Sequence, residues 1–286
     1  MPVSLPRQLA LVAVALFCLS ALSSARAQDA SAWQNEEHGG ARLLAGAMVK
    51  TPTAAFLRAG IEIRLDPGWK TYWRYPGDSG VPPTFDFAGS QNVKSADVQW
   101  PAPEMFPDGA GGHSIGYVGD VILPLKVTPI DTSRPASLHV TLNYAICGTL
   151  CVPAKATFEL PLTGESAESA MLDKAEQRVP KRAALGVDPG NGLMIRSVQL
   201  AAPGGVERVL IDVAAPDGAP LDLFVEGPTS EWALPLPEPE GVASGRDRRY
   251  ALQVDGLPPG AHIKGATLTI TAVSGDAAIE VPARID

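Results

Sequence analysis

The chain has 286 residues, room for one large or two ordinary domains, and carries a net charge of −8. That acidity argues against a nucleic-acid binder, which needs a basic face, and favours solubility without specifying a chemistry. Glycine (28) and proline (27) are frequent but stay below the level that signals disorder, so a folded, turn-rich protein is expected.

Residues 1–27 read as a secretory signal peptide. Arg7 supplies the positive start, 9–22 form an apolar run, and Ala25-Arg26-Ala27 gives a small-x-small cleavage site, so cleavage is expected after Ala27. The apolar run is shorter than the ~20 residues that span a bilayer, which argues against a membrane anchor. A lipoprotein site at Cys18 is disfavoured because the preceding Phe17 is bulky. No later stretch is apolar enough to cross a membrane. The expectation is a mature chain without a transmembrane segment, periplasmic, in a compartment where disulfides persist.

Short alternating runs then follow, separated by Pro, Gly and Asp, as in β-sandwiches. A first unit, 34–163, has candidate strands at 41–49, 55–65, 71–74, 84–87, 93–100, 121–127, 138–146 and 156–162. In Ile61-Glu62-Ile63-Arg64-Leu65 the apolar residues take one face and the charges the other. The linker 164–186 is helical. Over 165–180, Ala167, Met171, Ala175 and Val179 make one stripe, acidic residues come early, basic residues late, and Pro180 ends the run. A second unit, 190–286, has candidate strands at 194–200, 209–214, 221–225, 249–254, 266–273 and 278–281, with turn signals between them. The fold class is therefore all-β: two immunoglobulin-like β-sandwich domains joined by a short linker helix.

Of three cysteines, Cys147 and Cys151 are the pair left once the signal is removed. The loop they close is small, and as a staple it is worth only about 2 kcal/mol. On one extended strand, residues four apart stand roughly 13 Å from each other, too far for a disulfide. Gly148 and a hairpin turn between 138–146 and 156–162 must bring the sulfurs together, and Pro153 fits a strand edge. A disulfide at a hairpin tip is open to a partner's thiolate, and a neighbouring thiol resolves the mixed disulfide. The plainer reading is an inert bridge in an adaptor protein. A third is a Cu(I) module, with Met105 as a soft donor beside Cys147 and Cys151. Zinc is disfavoured, because no histidine lies near the pair in sequence. His38, His113, His139 and His262 are dispersed, and no phosphate loop or Ser-His-Asp order stands out.

Three stretches together resemble the amino-terminal periplasmic domain of the DsbD family of thiol:disulfide interchange proteins, closest to the ScsB-like branch linked to copper tolerance. They are Gly68-Trp-Lys-Thr-Tyr72-Trp-Arg-Tyr-Pro-Gly77-Asp-Ser-Gly80, Gly116-Tyr117-Val-Gly-Asp-Val-Ile-Leu-Pro124, and Tyr144-x-x-Cys147-x-x-x-Cys151-x-Pro153. The resemblance covers about half the chain. It implies a protein-disulfide reductase component with no cofactor beyond its redox-active disulfide. Cys151 would attack and Cys147 resolve. Phe106 would cap the pair, with Tyr72 and Tyr117 walling the site and Glu104 or Asp108 accepting a proton. The plainer reading of Phe106 is core packing, and of the two carboxylates solvated loop charge. The implied partners are a membrane-embedded electron transporter or a thioredoxin-like protein as donor, and periplasmic disulfide proteins as clients. The family's better-known domain has a longer gap between its cysteines, so its potential and geometry do not transfer.

Overall fold

The computed structural model describes residues 29–164, 168–242 and 244–286. The expected signal peptide and Ala167 lie outside the described residues.

The first unit contributes eleven strands: β1 (Gln34–Glu36), β2 (Gly39–Lys50), β3 (Ala55–Leu65), β4 (Lys70–Gly77), β5 (Thr84–Asp86), β6 (Val93–Val98), β7 (Glu104–Pro107), β8 (His113–Val118), β9 (Val121–Pro129), β10 (Ala136–Cys147) and β11 (Cys151–Leu162). One sheet has the order β1-β2-β3-β9-β6. The facing sheet runs β11-β10-β4-β8-β7, with β5 paired to β10, so β11 is an edge strand. Alternation builds the layer between them. Leu138, Val140, Leu142 and Ile146 of β10 point inward with Ala156, Phe158, Leu160 and Leu162 of β11. Odd-numbered residues of β10, from His139 to Cys147, face outward.

The linker helix α1 (Ser169–Gln177) is shorter than the sequence suggests, and its buried face is turned by about one residue. Leu172 and Ala175 are buried, whereas Met171 and Val179 are half-buried. The hollow that receives Leu172 explains the difference. A Cβ added at Gly46 or Gly60 would lie 2.5 or 2.6 Å from a Leu172 methyl, so two side-chain-free positions on β2 and β3 make the socket. Arg58 of β3 then reaches Asp173 (2.5 Å) and Glu176 (2.7 Å) on the same helix. The outer face of β3, read as the charged one, is largely covered: Arg58 and Glu62 are buried, the latter accepting from Arg42 Nε at 2.5 Å.

The remaining strands are β12 (Lys181–Arg182), β13 (Met194–Ala201), β14 (Arg208–Ala214), β15 (Asp222–Glu226), β16 (Glu238–Pro239), β17 (Asp247–Gln253), β18 (Thr267–Ser274) and β19 (Ala277–Arg284). They form two four-stranded sheets, β12-β19-β18-β15 and β13-β14-β17-β16, around a separate core of Ile211, Val213, Leu252, Ile270 and neighbours. β12 pairs with β19 in parallel. The two cores meet at Phe224 on β15, which packs with the first unit.

Candidate thiol–disulfide site

The β10–β11 hairpin is in unbroken register from Ala136↔Leu162 to Cys147↔Cys151. Its loop is only Gly148-Thr149-Leu150, closed by Gly148 N–H donating to the Leu150 carbonyl at 3.0 Å. This short turn brings the Cα atoms of Cys147 and Cys151 to 4.1 Å, and the two form a disulfide. The sulfurs differ in access: Cys147 is 5% exposed, whereas Cys151 is exposed at the start of the edge strand. Leu150 beside it is 77% exposed. Strand pairing reaches the disulfide because β11 begins at Cys151 and runs through Pro153, as an edge strand allows.

Tyr72 is the group that meets the sulfurs. Its hydroxyl lies 3.1 Å from Cys151 Sγ and 3.3 Å from Cys147 Sγ, and since disulfide sulfurs carry no hydrogen, the phenol donates. Tyr72, Ala145 and Cys147 form a small apolar cluster outside the main core. Two glycines of the motif stretches seat Tyr72, one against its backbone and one against its ring. Gly116 is directly across from Tyr72, and a Cβ there would lie 2.1 Å from the Thr71 carbonyl oxygen. Gly80, at φ +128°, abuts the ring: a Cβ there would lie 2.4 Å from Tyr72 Cε1. Burial raises the Tyr72 pKa and the nearby Asp108 charge adds to this, against a hydrogen bond to Ser114, so the phenol stays protonated and a donor near neutrality.

Asp108 is bound into a loop. Its carboxylate accepts from Ala110 N–H (2.8 Å), Gly112 N–H (3.0 Å) and Ser79 Oγ (3.1 Å), while Ser79 Oγ lies 3.0 Å from Ser114 Oγ. These donors, the Ala110 N–H foremost, hold its pKa below the ordinary carboxylate value. That makes it a poor proton acceptor and a good brace for the segment bearing Gly80. Glu104 lines a crevice of about 690 Å³ with Lys174 and Arg178 of the linker and Asp222 of the second sandwich.

Phe106 is buried (9% exposed) on β7, and its ring carries the Lys70 ammonium at 4.4 Å. Lys70 in turn pairs directly with Cys147, so Phe106 reaches the disulfide strand through Lys70. Tyr117 and Met105 are not brought to the pair. Tyr117 pairs with Thr71, one residue out of step with Tyr72, which turns it into the sandwich core. There it donates to the Pro101 carbonyl at 2.9 Å. Met105 pairs with Ile115 and alternates with Phe106, which places it on the opposite face of the sheet from the sulfurs. Among the described residues no group of three His, Cys, Asp or Glu converges on a metal site. Lys70, Ser79 and Ser114 are neighbours that sequence reasoning did not single out. Trp69, in the first of the motif stretches, also lies close by: its indole sits under Gly148 and stacks on His38 at 3.8 Å.

An exposed hairpin-tip disulfide on an immunoglobulin-like sandwich is the arrangement of a thiol–disulfide interchange domain. Residues 45–163 match the family described as thiol:disulfide interchange protein DsbD, N-terminal, a span that runs from within β2 to the end of β11 and holds the cysteine pair. Over nearly its whole length the chain also shares a fold with the N-terminal periplasmic domain of ScsB from Proteus mirabilis. That likeness has a TM-score of 0.69 at 22% identity, and covers 91% of this chain and 99% of the other. A comparison with curated protein sequences returns no match.

Proposed function

We propose that the protein is an exported, periplasmic carrier of reducing equivalents that reduces disulfides of other proteins through Cys147 and Cys151. The observation that carries this reading is the asymmetry of the pair: an exposed Cys151 next to a buried Cys147, with the Tyr72 hydroxyl touching both sulfurs.

In the reduced protein, the Cys151 thiolate attacks one sulfur of a client disulfide. A Cys151–client S–S bond forms, the client S–S bond breaks, and the departing client thiolate takes a proton from solvent. Cys147 then loses its proton and attacks Cys151 Sγ. The Cys147–Cys151 bond forms, the mixed disulfide breaks, and the second client thiol leaves. The client gains two electrons and the carrier loses them. A separate dithiol protein, a membrane-embedded electron transporter or a thioredoxin-like protein, reverses the cycle on the carrier. The Tyr72 phenol donates to whichever sulfur holds negative charge.

The test is a pair of variants on the full chain. Cys147→Ser should form a lasting mixed disulfide through Cys151 with a model disulfide protein, and Cys151→Ser should react far more slowly because Cys147 is buried. The wild-type pair should also titrate reversibly in a glutathione series. A pair that stays oxidised at strongly reducing poise refutes the reading.

A further inference from the structure

The residues past 190 carry no cysteine, yet they grip the strand that serves the disulfide. β4 is divided between two neighbours. Lys70, Thr71 and Tyr72 pair with β8, and Lys70 also pairs with Cys147. Regular pairing then lapses and resumes at Gly77. The next residues are held by the second sandwich. Trp73 packs on Phe224 with ring centroids 5.8 Å apart. Arg74 Nε and Nη2 donate to the two oxygens of Glu226 at 2.9 and 2.7 Å, and Nη2 also donates to Glu280 at 2.6 Å. The same guanidinium lies 4.3 Å over the Trp73 ring, and the Tyr75 hydroxyl donates to the Leu234 carbonyl.

The receiving surface is a built one. Phe224, Thr271 and Glu280 stand in one row across β15, β18 and β19, and Glu226 follows Phe224 on the same face. Arg74, Glu226 and Glu280 are only 23%, 18% and 17% exposed. A forked guanidinium with two carboxylates is a rigid, directional contact rather than a loose surface pair. Burial by itself lowers the Arg74 pKa, but Glu226 and Glu280 outweigh it and keep the clamp charged.

We propose that the second sandwich is a positioning element for the redox pair: by clamping Arg74 it fixes the course of β4 and so holds the Tyr72 hydroxyl on both sulfurs. Arg74 is two residues from Tyr72, and a catalytic group needs placement to about 0.5 Å, which a strand end left free does not give. This inference rests on the interchange reading for the rate effect, while the placement of Tyr72 is measurable without it.

The experiment uses the full chain with tyrosine labelled at the ring carbon bearing oxygen, the Tyr72 signal being assigned by its loss in Tyr72→Phe. The clamp is released by Glu226→Gln combined with Glu280→Gln, and more gently by Tyr75→Phe. In the oxidised protein the Tyr72 signal should move in both clamp variants. In the reduced protein, exchange with oxidised glutathione should slow about two- to threefold, the range left by loss of roughly half of one hydrogen bond to a charged sulfur. In a Tyr72→Phe background the clamp variants should cause no further slowing. A stationary Tyr72 signal overturns the proposal, as does equal slowing with and without the hydroxyl. Failure of the wild-type protein to exchange at all refutes the interchange reading instead, so the two fail separately. If the glutamine pair does not fold, Tyr75→Phe alone decides by the same readouts.

Discussion

Replacing Tyr72 by Phe removes one oxygen from the site and leaves the ring packed against Gly80. In the disulfide form that oxygen donates to sulfurs at 3.1 and 3.3 Å. In the reduced form the same donor faces a thiolate. A hydrogen bond to a charged partner is worth about 1.5–3 kcal/mol, which at 1.36 kcal/mol per unit corresponds to a thiol pKa higher by about one to two units. A more basic thiolate is also a better nucleophile, with a Brønsted slope of about 0.4–0.5, so roughly half of the loss is recovered. The net expectation at pH 7 is exchange slower by about three- to twelvefold. The thiolate titration, followed at 240 nm, and the stopped-flow rate with oxidised glutathione should shift together. The disulfide should still form and the denaturation midpoint should change little, since one neutral hydrogen bond contributes only about 0.5–1.5 kcal/mol. An unchanged thiol pKa with an unchanged rate would refute the assignment of Tyr72.

Gly80→Ala should act on the same hydroxyl from behind, because its new methyl meets the Tyr72 ring at a φ of +128°. It should slow exchange and also cost more than about 1 kcal/mol of stability, read by urea titration. Leu172→Ala should empty the socket over Gly46 and Gly60 and cost about 3 kcal/mol by the same assay. With α1 remote from the sulfurs, the exchange rate should not change. Alkaline pH should loosen the protein. Burial pushes the Tyr75 and Tyr144 hydroxyls up to about 12, above the ordinary value of 10. The unfolded chain therefore releases these protons first, so the stability they contribute is intact below pH 10 and is lost as pH rises from 10 towards 12. Tyr75→Phe should flatten part of that decline in denaturation midpoints measured from pH 9 to 11.5. A decline of the same steepness would remove Tyr75 from the explanation.

The strand-rich character and the position of the cysteine hairpin were readable because alternation and turn residues are local. The hairpin partners 138–146 and 156–162 fell inside β10 and β11. What escaped depended on partners distant in sequence. β7 and β8 are short, β8 carries Gly116, and the ladder from β4 through β8 to β7 defines them more than their own pattern does. The α1 stripe was displaced by a residue because the Gly46 and Gly60 socket, over a hundred residues away, chose Leu172. The same holds at the site. Tyr72 and Tyr117 looked alike in the motif stretches, but register sends one to the sulfurs and the other into the core. No periodicity could have tied Arg74 to Glu226 and Glu280. The glycines were the available signal: Gly80 and Gly116 lay within the resemblance stretches, and a Cβ at either position meets β4 or the Tyr72 ring.

The edge position of β11 has a consequence for how a reactive sulfur can be displayed in a crowded compartment. A twelve-residue strand with a free side is an invitation to pair with the same strand of another molecule. This one begins at the exposed cysteine, carries Pro153 and Pro161 where amide donors would stand, and sets Lys155 and Glu159 on its exposed positions. Such an edge resists templated stacking and strand exchange. Partners are thereby admitted to the sulfur at the strand's tip, while the length of the strand behind it discourages self-association.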